Sequence, residues 1–319
     1  MLDLQEGDIQ DSVDYMTKSH LRNVMQLAVF STGTDKLYAI NISKIQSFLI
    51  KDEIEILDPP SGNDLVVGFI TLQDEVISIV DFDRWIGDSV DESEQKIIIV
   101  CNYNQKKIGL IVKEILSIEE KISDELRVPV SPDPKISYVT DISLDQKSKK
   151  MCIVFDAERL LYDANVGSKN SKSTIYDISS FNISPLNSMK INSDKLVLVA
   201  EDSTIVIEKL NEFFQKIGIN YEIYENGQEL IDRIMALDPQ DIGLVITDIE
   251  MPIKNGYQVI KYIKQESFYG NVPVLSLTSM TNQGVKDKVL ELGALDLINK
   301  SDLNRLHEYI KDILEGELV

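Results

Sequence analysis

The sequence predicts a multi-domain protein in which an all-β N-terminal half precedes an α/β C-terminal half built on a parallel sheet. The chain has 319 residues, which is too long for one ordinary hydrophobic core. Apolar residues recur with a period of two in the first half, whereas strand-sized apolar runs alternate with helical stripes in the second half. A segment rich in Ser and Asn, within residues 165–195, separates the two patterns and predicts a linker.

The composition argues against several classes of protein. The formal net charge of −21 would repel phosphate backbones and anionic membrane surfaces, so nucleic acid is not an expected partner. The longest apolar runs are only strand-sized and the N-terminus is acidic, so we expect a cytoplasmic protein without direct membrane insertion. Two Cys and two His residues are too few for a disulfide framework, a zinc site or imidazole-based catalysis.

The first half contains short strand-like segments that pair across turns. Because such strands recur at close spacing, they predict a β-sandwich or a β-barrel. Two stretches, "ISIVDFDRWIG" and "MCIVFDAERLL", resemble each other, since each runs from a buried strand through an acid into a short amphipathic helix. Trp85 lies in the first of them and is interpreted either as a core residue, which is favoured, or as an exposed contact residue. The predicted pairs are "MQLAVFS" with "KLYAINI", "VVGFITL" with "EVISIVDF", "KIIIVCN" with "KIGLIVKEI", and "KISYVTDI" with "KMCIVFD".

The second half repeats a strand followed by an amphipathic helix five times. Such units predict a doubly wound, five-stranded parallel sheet with right-handed crossovers and helices on both faces. In the first unit, a helical stripe ends at Gly218 and consists of Val206, Leu210, Phe213, Phe214 and Ile217. The five predicted strands are "KLVLVA", "NYEIYE", "GLVITD", "VPVLSLTS" and "LDLINK".

Polar side chains follow four of these five strands at their carboxyl ends. They are Glu201 and Asp202 after the first strand, Asp248 after the third, Thr278 after the fourth and Lys300 after the fifth. Ligands bind at this edge of such sheets. Each side chain alone could be a helix cap, a turn cap or a solvated surface cation, but together they predict one site. Three crowded carboxylates repel one another, so we expect a divalent cation, and an oxygen-rich open site suits Mg²⁺.

Phosphoryl transfer is the chemistry that this set of side chains favours. A metal would offset charge on an incoming phosphoryl group, Lys300 and Thr278 would contact its other oxygens, and Asp248 would be the nucleophile that forms an aspartyl phosphate. A hydrolase with an aspartate nucleophile would need Asp-x-Asp-x-Thr. The segment Asp248-Ile249-Glu250-Met251-Pro252 does not supply that motif.

Residues from about Asp194 to Leu314 resemble the response-regulator receiver family, which has the flavodoxin-like fold of CheY. The resemblance rests on the acid pair, the strand-end Asp, Met-Pro, Asn-Gly, the Thr and the Lys. It implies that Asp248 is the phosphoacceptor, that Thr278 and Lys300 contact the phosphoryl group, and that Mg²⁺ is held by Glu201, Asp202, Asp248 and the backbone carbonyl of Glu250. This chain departs from the family at Ser301, where receivers usually have Pro, and at Leu297, where they usually have an aromatic residue.

Residues 24–163 resemble the CheW-like coupling family. The matching segments are "YAINISKIQ" at Tyr38–Gln46 and "VVGFITLQDEVISIVDF" at Val66–Phe82. The resemblance implies two linked small β-barrels that bridge chemoreceptors to the histidine kinase CheA. This chain departs from the family at Gln73, in place of an Arg expected to contact receptors, and at Ser47, in place of a Glu.

The order of the two domains resembles that of the CheV family of chemotaxis proteins. We therefore expect a non-enzymatic adaptor at membrane-associated receptor arrays, with CheA, methyl-accepting chemoreceptors and CheW as partners and with phosphorylation of Asp248 as the control. The alternative is a phosphate sink that drains phosphoryl groups from the kinase. A transcriptional regulator is disfavoured because no helix-turn-helix pattern remains. The predicted divisions are an N-terminal segment 1–23, a coupling domain 24–165, a linker 166–193 and a receiver domain 194–319.

Limited proteolysis tests the predicted division of the chain. Protease should cut first between residues 165 and 195, because that segment has few apolar residues with which to pack. Mass spectrometry should then identify two protease-resistant halves. Early cleavage well inside the predicted coupling domain 24–165 or the predicted receiver domain 194–319 would contradict the division.

Overall fold

The computed structural model describes residues 24–59, 64–89, 91–103, 106–122, 125–129, 133–145, 148–166, 190–266, 268–279 and 283–316. The chain forms two compact units, one chiefly on each side of the predicted linker. The predicted N-terminal segment 1–23 lies outside the described residues, and so does nearly all of the predicted linker, residues 167–189. Within the described ranges, no helix combines the length and the apolar character that crossing a membrane requires.

The described part of the N-terminal unit is built almost entirely of strands. Its ten strands form two five-stranded sheets, with the orders β8-β1-β2-β10-β9 and β3-β6-β7-β5-β4. The elements are β1 Val24–Ser31, β2 Leu37–Asn41, β3 Ile45–Ile50, β4 Val66–Leu72, β5 Glu75–Asp81, α1 Phe82–Ile86, β6 Ile97–Tyr103, β7 Lys106–Val112, β8 Glu114–Ile122, β9 Ile136–Asp145, β10 Ser148–Phe155 and α2 Ala157–Val166.

All four predicted strand pairs are confirmed as antiparallel pairs: β1 with β2, β4 with β5, β6 with β7, and β9 with β10. The sequence analysis was wrong to extend the strand of "KIGLIVKEI" to its end. β7 stops at Val112, and β8 begins at Glu114 in the other sheet. The chain changes sheet at Lys113, whose backbone N–H donates to the Ser31 carbonyl at 3.2 Å.

Each sheet closes on itself through one short bridge, which produces the two small barrels that the coupling family implies. In one barrel, the chain beyond edge strand β3 pairs with edge strand β4, where Leu57 and Phe69 exchange two backbone hydrogen bonds of 2.9 Å. In the other, the chain beyond β8 pairs with β9, where Arg127 and Val139 exchange bonds of 2.9 and 2.8 Å. Closure protects backbone groups that would otherwise be left unpaired at sheet edges.

The two barrels share an aromatic core. Phe30, Tyr38 and Phe155 come from one sheet, whereas Phe82 and Trp85 lie on α1, which follows a strand of the other sheet. Phe82 contacts Phe30 and Phe155 edge to face, with ring centroids 5.0 and 4.9 Å apart. Trp85 is only 2% exposed and donates its indole N–H to Asp163 on α2 at 2.9 Å. The core interpretation of Trp85 is therefore confirmed.

The C-terminal unit is a five-stranded parallel sheet covered by helices, as the sequence predicts. Its strand order is β12-β11-β13-β14-β15, so the order reverses at β11 and the sheet is doubly wound. β13 is buried along its whole length. The elements are β11 Leu196–Ala200, α3 Thr204–Ile217, β12 Asn220–Tyr224, α4 Gly227–Met235, β13 Ile242–Asp248, α5 Gly256–Lys261 with a π-helical continuation Tyr262–Glu266, β14 Val274–Thr278, α6 Gln283–Glu291, β15 Asp296–Asn299 and α7 Leu303–Leu314.

Replacing Trp85 tests the shared core. Trp85→Ala should destabilise the N-terminal unit by about 3–5 kcal/mol, because it leaves a cavity among the aromatic rings and removes the partner of Asp163. The control is Val76→Ala, at a side chain that is 71% exposed, which should change stability by less than about 0.5 kcal/mol. Urea unfolding followed by far-UV circular dichroism measures both. Equal stabilities for the two variants would contradict the assignment of Trp85 to the core.

Candidate functional site

Four adjacent strand ends place the predicted site residues at one edge of the sheet. Asp248 is the last residue of β13 and Thr278 is the last residue of β14, while Glu201 and Lys300 directly follow β11 and β15. The strands are in register at this edge, and the Lys300 N–H donates to the Thr278 carbonyl at 2.9 Å. The predicted convergence of these side chains is therefore confirmed, although their chemical roles remain predictions.

Three carboxylates lie together at this edge. One oxygen from each of Glu201, Asp202 and Asp248 lies within 4.8 Å of the other two. Glu201 and Asp248 are 0% and 3% exposed, whereas Asp202 is partly exposed. The repulsion among three acids at this separation, two of them buried, requires positive charge nearby.

Lys300 supplies part of that positive charge. Its side chain is buried, and Nζ lies 2.9 Å from Oε1 of Glu201 and 3.1 Å from Oδ2 of Asp248. The interpretation of Lys300 as a solvated surface cation is therefore wrong. The three carboxylates beside this ammonium form a set of hard oxygen donors that fits a divalent cation such as Mg²⁺.

The loop after Asp248 orients its carboxylate. Oδ1 of Asp248 accepts a hydrogen bond of 2.7 Å from the Ile249 N–H, while Oδ2 faces Lys300. Glu250, whose backbone carbonyl is a predicted metal ligand, lies two residues further along this loop. Burial, followed by the nearby Glu250 carboxylate, raises the pKa of Tyr257 above its ordinary value. The Glu250 carboxylate therefore acts electrostatically on the Tyr257 phenol.

Sequence reasoning identified the Asn-Gly pair at the end of this loop but not its structural role. Asn255 caps α5, because its side chain accepts from the Gln258 N–H at 3.1 Å. In return, the Gln258 side chain accepts from the Asn255 backbone N–H, which completes a capping box. A Cβ on Gly256 would lie 2.2 Å from the Asp248 carbonyl oxygen, so only glycine fits against the Asp248 backbone. The three-residue spacing from Asn255 to Gln258 is the sequence signal that could have revealed this capping box.

The positions that depart from the family patterns have defined surroundings. Leu297 is buried in the apolar core of the C-terminal unit, and the Ser301 hydroxyl donates to Oδ1 of Asn299 at 2.5 Å. In the N-terminal unit, Gln73 and Asp74 form the exposed β4–β5 turn with φ values of 51° and 64°, which match a tight hairpin turn. The missing cation at Gln73 therefore changes an exposed turn and leaves the core intact.

Comparison with known proteins assigns a family to each unit. The model of the CheW-like domain matches residues 26–165, and that of the response regulator receiver domain matches residues 197–311. The chain therefore joins a CheW-like domain to a receiver domain.

Two chemotaxis proteins align with nearly the whole chain. Chemotaxis protein CheV2 of Helicobacter pylori is 27% identical over 95% of this chain and 98% of its own length. Chemotaxis protein CheV1 of the same organism is 26% identical over 97% and 99%. Among solved structures, the scaffolding protein TtCheW from Thermoanaerobacter tengcongensis covers 41% of this chain and 88% of its own, with 18% identity and a TM-score of 0.37.

Removing one carboxylate tests the candidate metal site. Asp202→Asn should weaken Mg²⁺ binding by roughly tenfold or more, because it removes an anionic oxygen from the cluster. The matched control is Asp194→Asn, an exposed position just before β11 and so at the opposite end of that strand. Isothermal titration calorimetry measures both affinities. If Asp202→Asn binds Mg²⁺ as tightly as Asp194→Asn does, Asp202 is not a ligand.

Proposed function

We propose that this CheV-type protein is a chemotaxis adaptor in which the receiver domain controls how the CheW-like domain couples chemoreceptors to the histidine kinase CheA. The kinase would phosphorylate Asp248, and the phosphorylated receiver would change the coupling. The observation that carries this proposal is the buried Asp248 carboxylate, which lies 3.1 Å from Lys300 and beside two further acids at the carboxyl edge of the sheet. Nearly full-length similarity to CheV1 and CheV2 supports the adaptor assignment.

The phosphoryl transfer follows from the chemistry of these side chains. A lone pair on a carboxylate oxygen of Asp248 attacks the phosphorus of a phosphohistidine, and an O–P bond forms as the P–N bond breaks. The imidazole nitrogen leaves with the bonding electrons and takes up a proton. Lys300 orients the Asp248 carboxylate before transfer, and its ammonium and the Thr278 hydroxyl then contact oxygens of the bound phosphoryl group.

Glu201 and Asp202, together with Asp248 and the Glu250 backbone carbonyl, are the groups proposed to hold Mg²⁺. When bound, the ion offsets the negative charge that a phosphoryl group brings into a site that already contains three acids. Because the cluster already contains three carboxylates, Glu201 and Asp202 would otherwise repel the phosphoryl group.

Exposed apolar side chains of the CheW-like domain offer candidate contact surfaces for receptors and kinase. Phe48 and Ile50 on β3 are 44% and 50% exposed, and Val76 beside the β4–β5 turn is 71% exposed. Apolar side chains in such positions are characteristic of surfaces that bind other proteins. Binding through them would place the protein at membrane-associated receptor arrays. CheW itself is a further proposed partner.

A phosphate sink is the second candidate function, and Leu297 is the observation that favours it. Receivers that relay phosphorylation through a rotating aromatic ring need that ring at the position of Leu297. This chain instead has a buried aliphatic side chain there. Under this alternative, the receiver would accept phosphoryl groups from the kinase, and the CheW-like domain would only hold it close to the donor.

Reconstitution with receptors and kinase separates the two functions. Kinase activity is measured with wild-type protein, Asp248→Asn and Lys300→Ala, each with and without a small acyl phosphate that acts directly on the receiver. Under the adaptor proposal, the donor changes kinase activity with the wild type only. Asp248→Asn lacks the nucleophile, and Lys300→Ala lacks the ammonium that contacts the phosphoryl group.

The outcomes point to different conclusions. If a fully phosphorylated wild type leaves kinase activity unchanged while it still drains phosphoryl groups, the sink replaces the adaptor. If the donor changes kinase activity equally in all three proteins, phosphorylation of Asp248 does not control coupling. Asp248→Asn should bind the receptor array as well as unphosphorylated wild-type protein does, because Asp248 lies at the sheet edge and outside the CheW-like domain.

A further inference from the structure

The loop between Asp248 and α5 has a backbone conformation that its own residues do not favour. Ile253 has φ 61°, in the left-handed region that β-branched side chains avoid. The Lys254 N–H donates to the Pro252 carbonyl at 2.6 Å, which closes a three-residue turn around Ile253. Strained turns of this kind persist only where the surrounding structure enforces them. A contact from outside the loop must therefore hold it.

That contact comes from the first residue of α4. The Gly227 N–H donates to the Lys254 carbonyl at 3.2 Å. Asn226 caps the same helix by accepting from the N–H groups of Gln228 and Glu229, at 3.1 and 3.0 Å. Because the cap satisfies these two groups, the remaining N–H of the first turn can bond outside the helix. The Gly227 N–H uses this freedom to donate to a carbonyl of the strained turn.

Only glycine allows this close approach. A Cβ on Gly227 would lie 2.4 Å from the Lys254 carbonyl oxygen and 2.6 Å from Cγ2 of Val259. The φ of Gly227 is outside the left-handed region, so the position needs glycine for space and not for backbone conformation. Any side chain here would have to push the turn away from α4.

The other end of the loop is equally constrained. The Gly256 N–H donates to the Ile249 carbonyl at 3.1 Å, and Gly256 packs directly against the Asp248 backbone. Residues 249–255 are therefore held between the phosphoacceptor at one end and Gly227 on α4 near the other. The loop is too short to absorb a displacement of Lys254, so such a displacement would also move Asp248 and Glu250.

We infer that Gly227 is a positioning residue for the magnesium and phosphoryl site, although it contacts neither group. Through the Lys254 carbonyl, it holds the strained turn and so fixes the Asp248 carboxylate and the Glu250 carbonyl. This inference rests on the proposed function of that site. It adds α4, a helix that contributes no side chain to the site, to the elements that set its geometry.

A matched pair of glycine variants in the full chain tests this role. The control is Gly243, where a Cβ would also lie 2.4 Å from a neighbour, although that neighbour is Cδ2 of the Leu314 side chain and not a backbone atom. Gly243 lies near the start of β13, at the opposite end from Asp248. Gly227→Ala and Gly243→Ala should both lower the melting temperature. Only Gly227→Ala should weaken Mg²⁺ binding, by about tenfold, and slow phosphorylation by acetyl phosphate, because small displacements of reacting groups are costly.

Two double variants identify the route of the effect. Gly227→Ala with Ile253→Gly should recover much of the Mg²⁺ affinity, because glycine adopts the left-handed conformation without needing support. Gly227→Ala with Val259→Ala should fold more readily, since one of the two clashes is gone, yet bind Mg²⁺ as weakly as the single variant does. Recovery through Val259→Ala instead would mean that the effect runs through helix packing, which would overturn the inference.

Isothermal titration calorimetry and mass spectrometry of the phosphorylated chain supply the measurements. If wild type binds Mg²⁺ and accepts the phosphoryl group while Gly227→Ala does both equally well, the inference fails and the proposed function stands. If wild type neither binds Mg²⁺ nor becomes phosphorylated, the proposed function fails, and the inference fails with it.

Discussion

The buried Lys300 ammonium, held between Glu201 and Asp248, is the interaction on which the receiver site depends. Burying two carboxylates is costly, and the cost is tolerable only because a cation lies within 2.9 and 3.1 Å of them. The carboxyl edge of the sheet brings Lys300 and Glu201 within 2.9 Å of each other although they are 99 residues apart in sequence. Asp202 adds a third carboxylate to the cluster, and such a set of oxygen donors fits a divalent cation. The same contacts thus stabilise the buried acids and fix their positions.

The backbone around Asp248 gives this electrostatic site a fixed geometry. Gly256 packs against the Asp248 carbonyl, while Gly227 on α4 reaches the turn that contains Ile253. Both contacts depend on the absence of a Cβ, so the loop packs tightly against the Asp248 backbone and against α4. The backbone that carries the Asp248 carboxylate is therefore fixed in place.

The CheW-like domain solves a different physical problem, because two small barrels must be held together without a large interior of their own. Phe30, Tyr38 and Phe155 pack against Phe82 and Trp85 from the other barrel, so one aromatic cluster serves both. Each barrel closes through a pair of backbone hydrogen bonds, which leaves few sheet edges exposed. Apolar side chains that remain exposed, such as Phe48 and Val76, are then available for binding other proteins.

Much of this protein is determined by local sequence patterns. Alternating and helical periodicities predict the four hairpins of the first half and the five strand–helix units of the second, and the strand-end positions predict the cluster of Asp248, Thr278 and Lys300. These features are predictable because strand pairing across short turns and the edge at which parallel strands end follow from neighbouring residues and general topology. Trp85 could be favoured as a core residue from its type alone.

Tertiary structure alone decided the features that depend on contacts between distant segments. The change of sheet at Lys113, the closure of each barrel, the burial of Lys300 and the approach of Gly227 to Lys254 leave no periodic signal. Each arises where segments that are far apart in the sequence share the same space. A pattern of apolar and polar residues specifies which face of an element is buried, but not which distant atom lies against it. For this reason the sequence predicts which residues cluster at the site, whereas the contact that holds the loop after Asp248 is seen only in the folded structure.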